Sequence, residues 1–168
     1  ASDVYKRQTL KIGEAISGFA NSAIWLIVGA FLFSRGFIKT GLGKRIAYNL
    51  ISAFGSSSLR LAYALALSDL ILAPATPSNT ARVGGVIMPI TTSLAKAFGS
   101  EPQDGPRKIG SFLMQSIYQV NPITSAMFQT SMAGNTLVAA LALQSFGIGI
   151  TWGDWAMAAI VPGIIALL

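Results

Sequence analysis

Apolar residues in this chain fall into long runs, broken by a few short polar stretches. The first run, residues 16–38, reads ISGFANSAIWLIVGAFLFSRGFI. A helix of that length, rising about 1.5 Å per residue, crosses a hydrocarbon core of roughly 30 Å. Arg35, near one end, can snorkel to the interface. Residues 39–52, KTGLGKRIAYNLIS, come next. Gly41 and Gly43 end the first helix. Ile46, Leu50 and Ile51 then recur at helical spacing opposite Lys44, Arg45 and Asn49. That pattern predicts a short amphipathic helix on the cytoplasmic surface. The plainer alternative is a loop followed by a helix start.

Residues 59–72, LRLAYALALSDLIL, are apolar but short for a full span, which suits a re-entrant arm. A Pro-rich polar knot follows within residues 73–90, APATPSNTARVGGVIMPI. Residues 81–98 resume helical character and carry Gly84, Gly85 and Pro89, with the glycines expected to permit close helix packing. Arg60 and Lys96 lie near the two outer ends, so both ends belong on one face of a membrane. Residues 57–98 therefore predict a helical hairpin that dips in and returns, with residues 77–80 at its tip. The competing reading is two complete spans with the knot in external water.

Residues 99–108, GSEPQDGPRK, predict an exposed cytoplasmic loop. Residues 109–143 are too long for one straight helix and too short for two helices and a loop. Pro122 lacks an N–H and clashes with the preceding turn. It also disfavours helix at Asn121. The prediction is a broken transmembrane helix, with half-helices over about 109–119 and 126–143 and an unwound strip at 121–125. Residues 144–155 have no Lys or Arg, and Trp152 and Trp155 suit an aromatic belt, so this loop is expected outside. Residues 156–168 are an apolar helix that reads as truncated. Ala1–Gln8 (ASDVYKRQ) do not match the rest of the chain and read as a non-native leader, leaving residues 9–56 as a scaffold span plus the surface helix.

Composition agrees with a membrane chain. Of 168 residues, 52% are apolar and 11% are charged, against about 25% charged in soluble domains. The length allows a single domain. Cysteine and histidine are both absent, which removes disulfides, Cys-type zinc sites and imidazole-based triads. The net charge of +6 is clustered beside apolar spans, as in cytoplasmic loops. No aromatic platform accompanies it, so nucleic acid is not the expected partner.

The two polar breaks are the candidate chemistry. Irregular backbone at membrane depth must be buried in protein or line a wet cavity. Discontinuous helices of this kind build sites in secondary transporters. If the breaks meet, Ser78, Asn79 and Thr80 offer hydroxyls, an amide and helix N–H groups to an anion. Asn121, Thr124 and Ser125, with Ser78 and Asn79, offer hard oxygens to Na⁺. Arg82 can grip a substrate carboxylate through a bidentate fork, or neutralise Asp69, the lone acid of the hairpin. Thr130 and Ser131, with Gly134 and Asn135, can line the route or simply join helices. Ser and Thr also cap helices without any ligand, and Pro-Ser-Asn-Thr is a reasonable capping turn in its own right.

The knot APATPSNTARVGGVIMPI resembles the hairpin signature of the divalent anion:sodium symporter family. The fit is best with its 2-oxoglutarate/malate translocators and citrate or tartrate exchangers. The likeness continues through KTGLGKRI, AFGSEPQDGPRKIGSFLMQ, NPITSAMFQTSMAGN and ITWGDWAMAAIVPG. It implies an all-α integral membrane carrier with inverted repeats, dimeric, with an elevator-like transport domain. Ser78, Asn79 and Thr80 match the family's first Ser-Asn-Thr, which binds substrate carboxylate and helps form a sodium site. NPITS departs from the Gly-rich loop of the sodium-driven branch and leans towards exchange. The family's second Ser-Asn-Thr is missing, so the chain reads as the first repeat.

The expected function is therefore transport of dicarboxylates, 2-oxoglutarate or malate and by extension citrate or tartrate, by exchange or cation symport. The expected substrate contacts are Ser78, Asn79, Thr80, Arg82, Thr130 and Ser131. No cofactor is expected, with Na⁺ the one candidate coupling ion. The expected partners are a small carboxylate, the lipid bilayer and a second copy in the full-length protein. The expected location is a bacterial inner membrane, with a plastid inner envelope as the alternative. A structural or assembly subunit is the rival class. An enzyme using Asp69 or Lys96 as base is the weaker one.

Overall fold

A computed structural model describes residues 12–20, 22–54, 57–100 and 109–168. The expected leader, residues 1–8, and most of the 99–108 loop lie outside the described residues. Every regular element among the described residues is helical.

A helical turn, Ile12–Ala15, and a 3-10 turn, Ser17–Ala20, precede α1, Ser22–Lys39. The continuous helix starts later than residue 16. The indole of Trp25 donates to the Phe19 carbonyl at 2.6 Å and holds the tighter turn in place. Gly41 then takes φ +70°, a left-handed value that glycine adopts without strain. It turns the chain into α2, Leu42–Phe54. This is the predicted amphipathic helix. Ala47 is buried, and Ile46 and Ile51 pack against the core, while Lys44 and Arg45 are exposed.

The hairpin arms come next. α3, Ser58–Leu72, starts at Ser57, whose side chain accepts from the Arg60 N–H, and runs on into a 3-10 turn, Ala73–Ala75. The combined stretch Ser58–Ala75 has 18 residues and a mean hydropathy of 1.3, long and apolar enough to cross a membrane. Length therefore does not separate a re-entrant arm from a full span. The return arm is α4, Asn79–Arg82, a π turn, Val83–Ile87, and α5, Met88–Ala97. Gly84 and Gly85 lie in the π turn. A Cβ on Gly84 would meet nothing within 4 Å, so this glycine does not serve close packing as expected. Pro89, which has no N–H to offer the preceding turn, is the second residue after it. Gly99, at φ +64°, ends α5 in a Schellman arrangement, with Gly99 N–H to the Lys96 carbonyl and Ser100 N–H to the Ala95 carbonyl.

The long apolar segment corrects the sequence reading. α6, Ile109–Met127, is continuous through Asn121 and Pro122. The break falls at residues 128–132, where Phe128 and Met132 are extended around a 3-10 turn, Gln129–Ser131. α7, Ala133–Phe146, lies beyond it. One missing N–H within α6 is a modest loss that neighbouring groups can repair. The chain breaks instead where side chains stand ready for loose carbonyls. Asn135 Nδ2 donates to the Ser125 and Phe128 carbonyls at 2.8 and 2.9 Å. Gly147, at φ +68°, caps α7, and Thr151 and Asp154 form a capping box for α8, Trp152–Leu167. The expected external loop thus shrinks to residues 147–151.

The core sits where α2, α3, the π turn, α5 and α6 meet. Leu61, Leu65, Leu72, Ile87, Ile90 and Leu113 are each no more than 2% exposed. The surface carries large apolar side chains such as Leu32, Phe146 and Ile165, each more than two-thirds exposed. A water-facing surface rarely tolerates so many.

α8 packs on α6 by close approach. A Cβ on Gly163 would lie 2.5 Å from Met127 Cγ, and Met127 is itself buried. Overpacking of this kind costs about 1–3 kcal/mol. Gly163→Leu is expected to lower the melting temperature of detergent-solubilised protein by several degrees. Gly153→Ala, where the nearest atom is 3.8 Å away, is expected to leave it unchanged.

Candidate functional site

Ser78 begins the tip with extended backbone, and its Oγ accepts from the Ala81 N–H at 3.2 Å. Asn79 Oδ1 accepts from the Thr80 N–H at 2.8 Å. Both side chains thus supply the helix start with acceptors that its free N–H groups need. Ser78 and Asn79 are half-buried and Thr80 is exposed. The residues before them, Thr76 and Pro77, are buried.

The residues leading into the tip meet the break. Thr130 Oγ1 donates to the Pro74 carbonyl at 2.8 Å. Between them lies Arg82, with a fully buried side chain. Its Nε donates to Asp69 Oδ1 at 2.8 Å. Nη1 donates to the carbonyls of Thr76 and Ser131 at 3.2 and 3.3 Å. Nη2 donates to Thr124 Oγ1 and Ser125 Oγ at 3.3 and 2.8 Å. A guanidinium has five N–H donors, and each has a partner here. The sequence left Arg82 a choice between substrate and Asp69, and the structure shows the Asp69 pair. No donor remains for a substrate carboxylate, which corrects the expected substrate contact at Arg82.

Asp69 is equally engaged. Thr124 Oγ1 donates to Oδ2 at 2.5 Å, and Asn121 Nδ2 lies 3.4 Å from the same oxygen. The oxygens expected to hold a cation therefore face a different charge. Thr124 and Ser125 already accept from a cationic side chain, and Asn121 turns an amide N–H group towards Asp69. The expected Na⁺ contacts at Thr124 and Ser125 thus meet a resident guanidinium, and Asn121 offers its amide nitrogen to Asp69. The Thr124 hydroxyl beside a carboxylate has the form of a nucleophile and its base, but both side chains are buried.

Thr130 and Ser131 are joints. Thr130 Oγ1 also accepts from Trp152 Nε1 at 3.1 Å. The Ser131 hydroxyl is shared between the carbonyls of Ser125 and Phe128. Both hydroxyls are committed within the protein, against the expectation that they contact substrate. Every buried side-chain nitrogen or oxygen among the described residues has a hydrogen-bond partner. A cavity of about 230 Å³ lies elsewhere, between α3, α6 and α8, with Tyr63, Phe112 and Leu168 in its wall. It touches none of these residues.

Residues 2–168 match the family described as the sodium:sulfate symporter transmembrane region. The chain belongs to this family. The match takes in most of the eight residues read as a leader. Among relatives of this symporter-family chain is YflS of Bacillus subtilis, provisionally named a malate transporter. It is 57% identical over 95% of the chain and 34% of its own length. The chloroplastic dicarboxylate transporter 1 of Spinacia oleracea is 50% identical over 96% of the chain and 28% of its own length. The L-tartrate/succinate antiporter of Escherichia coli strain UTI89 is 42% identical over 98% of the chain and 34% of its own length. The chain thus spans about a third of the length of these relatives. It is an integral membrane protein of the symporter family.

In the sequence Asp69 reads as a partner for Arg82 or, more weakly, as a base, and Asn135 as a residue that lines the route or joins helices. The usable signal for Asp69 was that it is the single acid in an apolar hairpin that also holds one buried cation. Thr76 contributes through its carbonyl, which no side-chain pattern reveals.

Removing one member of a buried ion pair costs about 3–5 kcal/mol. Asp69→Asn is expected to collapse the folded yield or lower the melting temperature sharply. Arg82→Lys is expected to do nearly as much, because an ammonium has three donors for five acceptors. Fluorescence-detected size-exclusion and thermal melts in detergent read both.

Proposed function

We propose that this chain is the first-repeat part of a secondary carrier that exchanges dicarboxylates across a membrane. The carrying observation is the division of labour around Arg82. The buried groups satisfy one another completely, and Ser78, Asn79 and Thr80 are left half-buried or exposed at a helix start. Neither N–H of the Asn79 amide is used in the tip's hydrogen bonds among the described residues. A helix N-terminus and such donors favour an anionic oxygen group. One carboxylate of the substrate docks there, and a second repeat outside this chain completes the cavity.

The same geometry supports a reading of coupling. A guanidinium already rests on the hydroxyls of Thr124 and Ser125, where a Na⁺ ion would otherwise be the natural cation. A permanent charge removes the need for a bound ion and favours exchange of one anion for another over sodium symport. The relatives named for dicarboxylates and for tartrate/succinate antiport support this reading. The hairpin is re-entrant in this proposal: its neck, Thr76 and Pro77, is buried against protein, as irregular backbone at membrane depth requires. The full-length carrier is a homodimer of inverted repeats.

A second reading has one observation in its favour. The Ser78 and Asn79 side chains already cap the helix, as they would in a subunit that only seats neighbouring helices. Thermal stabilisation by added dicarboxylate separates the two, because only a ligand that prefers the folded state raises the melting temperature.

In the full-length protein in proteoliposomes, Asn79→Ala is expected to abolish uptake of labelled malate or 2-oxoglutarate against internal dicarboxylate. Replacing Na⁺ by K⁺ is expected to leave wild-type exchange unchanged. Wild-type uptake by Asn79→Ala would refute the tip as the anion site, and strict sodium dependence would refute exchange.

A further inference from the structure

The first turn of α8 does more than begin a helix. Trp155 Nε1 donates to the Ala126 carbonyl at 2.9 Å, one of the carbonyls that α6 leaves without an intrahelical partner where it ends. The ring of Trp152 stacks on Phe128, the first residue of the break, with centroids 5.8 Å apart and planes 17° from parallel. Its Nε1 donates to Thr130 Oγ1 at 3.1 Å, and that hydroxyl in turn donates to the Pro74 carbonyl at 2.8 Å. Gln129 Nε2 reaches back to the Ile150 carbonyl at 3.3 Å. The capping box at Thr151 and Asp154 fixes the turn from which both indoles project. The expected aromatic-belt role for these tryptophans leaves all of these bonds unexplained.

We propose that Trp152 is a positioning residue for the anion site, acting through Thr130 on the neck of the hairpin. Pro74 lies four residues before Ser78 in a 3-10 turn that leads directly to the tip. Two hydrogen bonds in series, indole to hydroxyl to carbonyl, fix the distance between the start of α8 and that neck. Polarised chains of this kind are stiffer than their separate bonds. The stacked Phe128 ring prevents Trp152 from swinging away, and Trp155 anchors the other side of the break. Displacement of α8 relative to α6 is therefore passed to the backbone that presents Ser78, Asn79 and Thr80. The inference rests on the reading of those residues as the anion site.

The test uses the full-length carrier in proteoliposomes, with exchange of labelled malate as the readout. Trp152→Phe keeps a ring for Phe128 and removes only the N–H. It is expected to raise KM roughly 3- to 10-fold, the worth of one hydrogen bond, with a melting temperature lowered by no more than a few degrees. Thr130→Val removes the same bond from its other side and is expected to match or exceed that effect. The double variant is expected to be no worse than Thr130→Val, because both substitutions cut one chain. If Trp152→Phe yields too little folded carrier, Thr130→Val carries the measurement. A wild-type KM in Trp152→Phe, with or without a lowered melting temperature, overturns the inference. So do effects that multiply in the double variant. Asn79→Ala, run alongside, separates the two levels: if it is inactive while Trp152→Phe is unaffected, the anion site stands and the strap does not.

Discussion

A single guanidinium holds this structure together. Arg82 is fully buried and bonded to five acceptors drawn from α3, the hairpin neck, α6 and the break. Burying such a charge is costly unless it is paired and its remaining donors are satisfied. Both conditions hold, and meeting them dictates the local geometry. The hairpin neck must present the Thr76 carbonyl, α6 must stay helical through Thr124 and Ser125, and the chain must open at Ser131. The unwound strip expected at 121–125 is incompatible with this, because it would scatter the two hydroxyls that receive Nη2.

Polar side chains share the interior with the apolar core, and large apolar ones cover the outside. Asp69, Arg82, Thr124, Ser125 and Asn135 are inside, while Leu32, Phe146 and Ile165 face outwards. The polar interior is repaired locally wherever that is possible. Ser68 and Thr91 each donate to the carbonyl four residues earlier in their own helix, at 2.6 and 2.9 Å. Some long-range polar bonds join helix interiors, as Thr124 and Asn121 do with Asp69. Others gather at the hairpin neck, the break and the first turn of α8, where helical hydrogen bonding stops and donors and acceptors are available to join separate parts of the chain.

Much of this was legible in the sequence. A short amphipathic helix within residues 39–52 was readable from Ile46, Leu50 and Ile51 recurring opposite Lys44, Arg45 and Asn49, and the structure places it at Leu42–Phe54. The hairpin arms were readable from two apolar stretches around a Pro-rich knot, and the Ser78 cap from its hydroxyl beside a helix start. The position of the second break was not. Proline is a local signal, and it pointed to residue 122. The deciding factor was tertiary: Ser131 and Asn135 capture carbonyls from Ser125 and Phe128. Single-residue propensities cannot report which side chains fold back onto which carbonyls. The tryptophans were readable as interfacial residues but not as hydrogen-bond donors, because composition does not show which carbonyl or hydroxyl an indole N–H will meet.

The partners of Arg82 also impose an order on biogenesis. Its last acceptor, the Ser131 carbonyl, lies 49 residues further along the chain. While the ribosome has made only the hairpin, the cation has Asp69 and Thr76 and nothing else to hold it. An unshielded guanidinium strongly resists entry into hydrocarbon. The arrangement of its partners therefore favours late burial of Arg82, after α6 and the turn that follows it have been made.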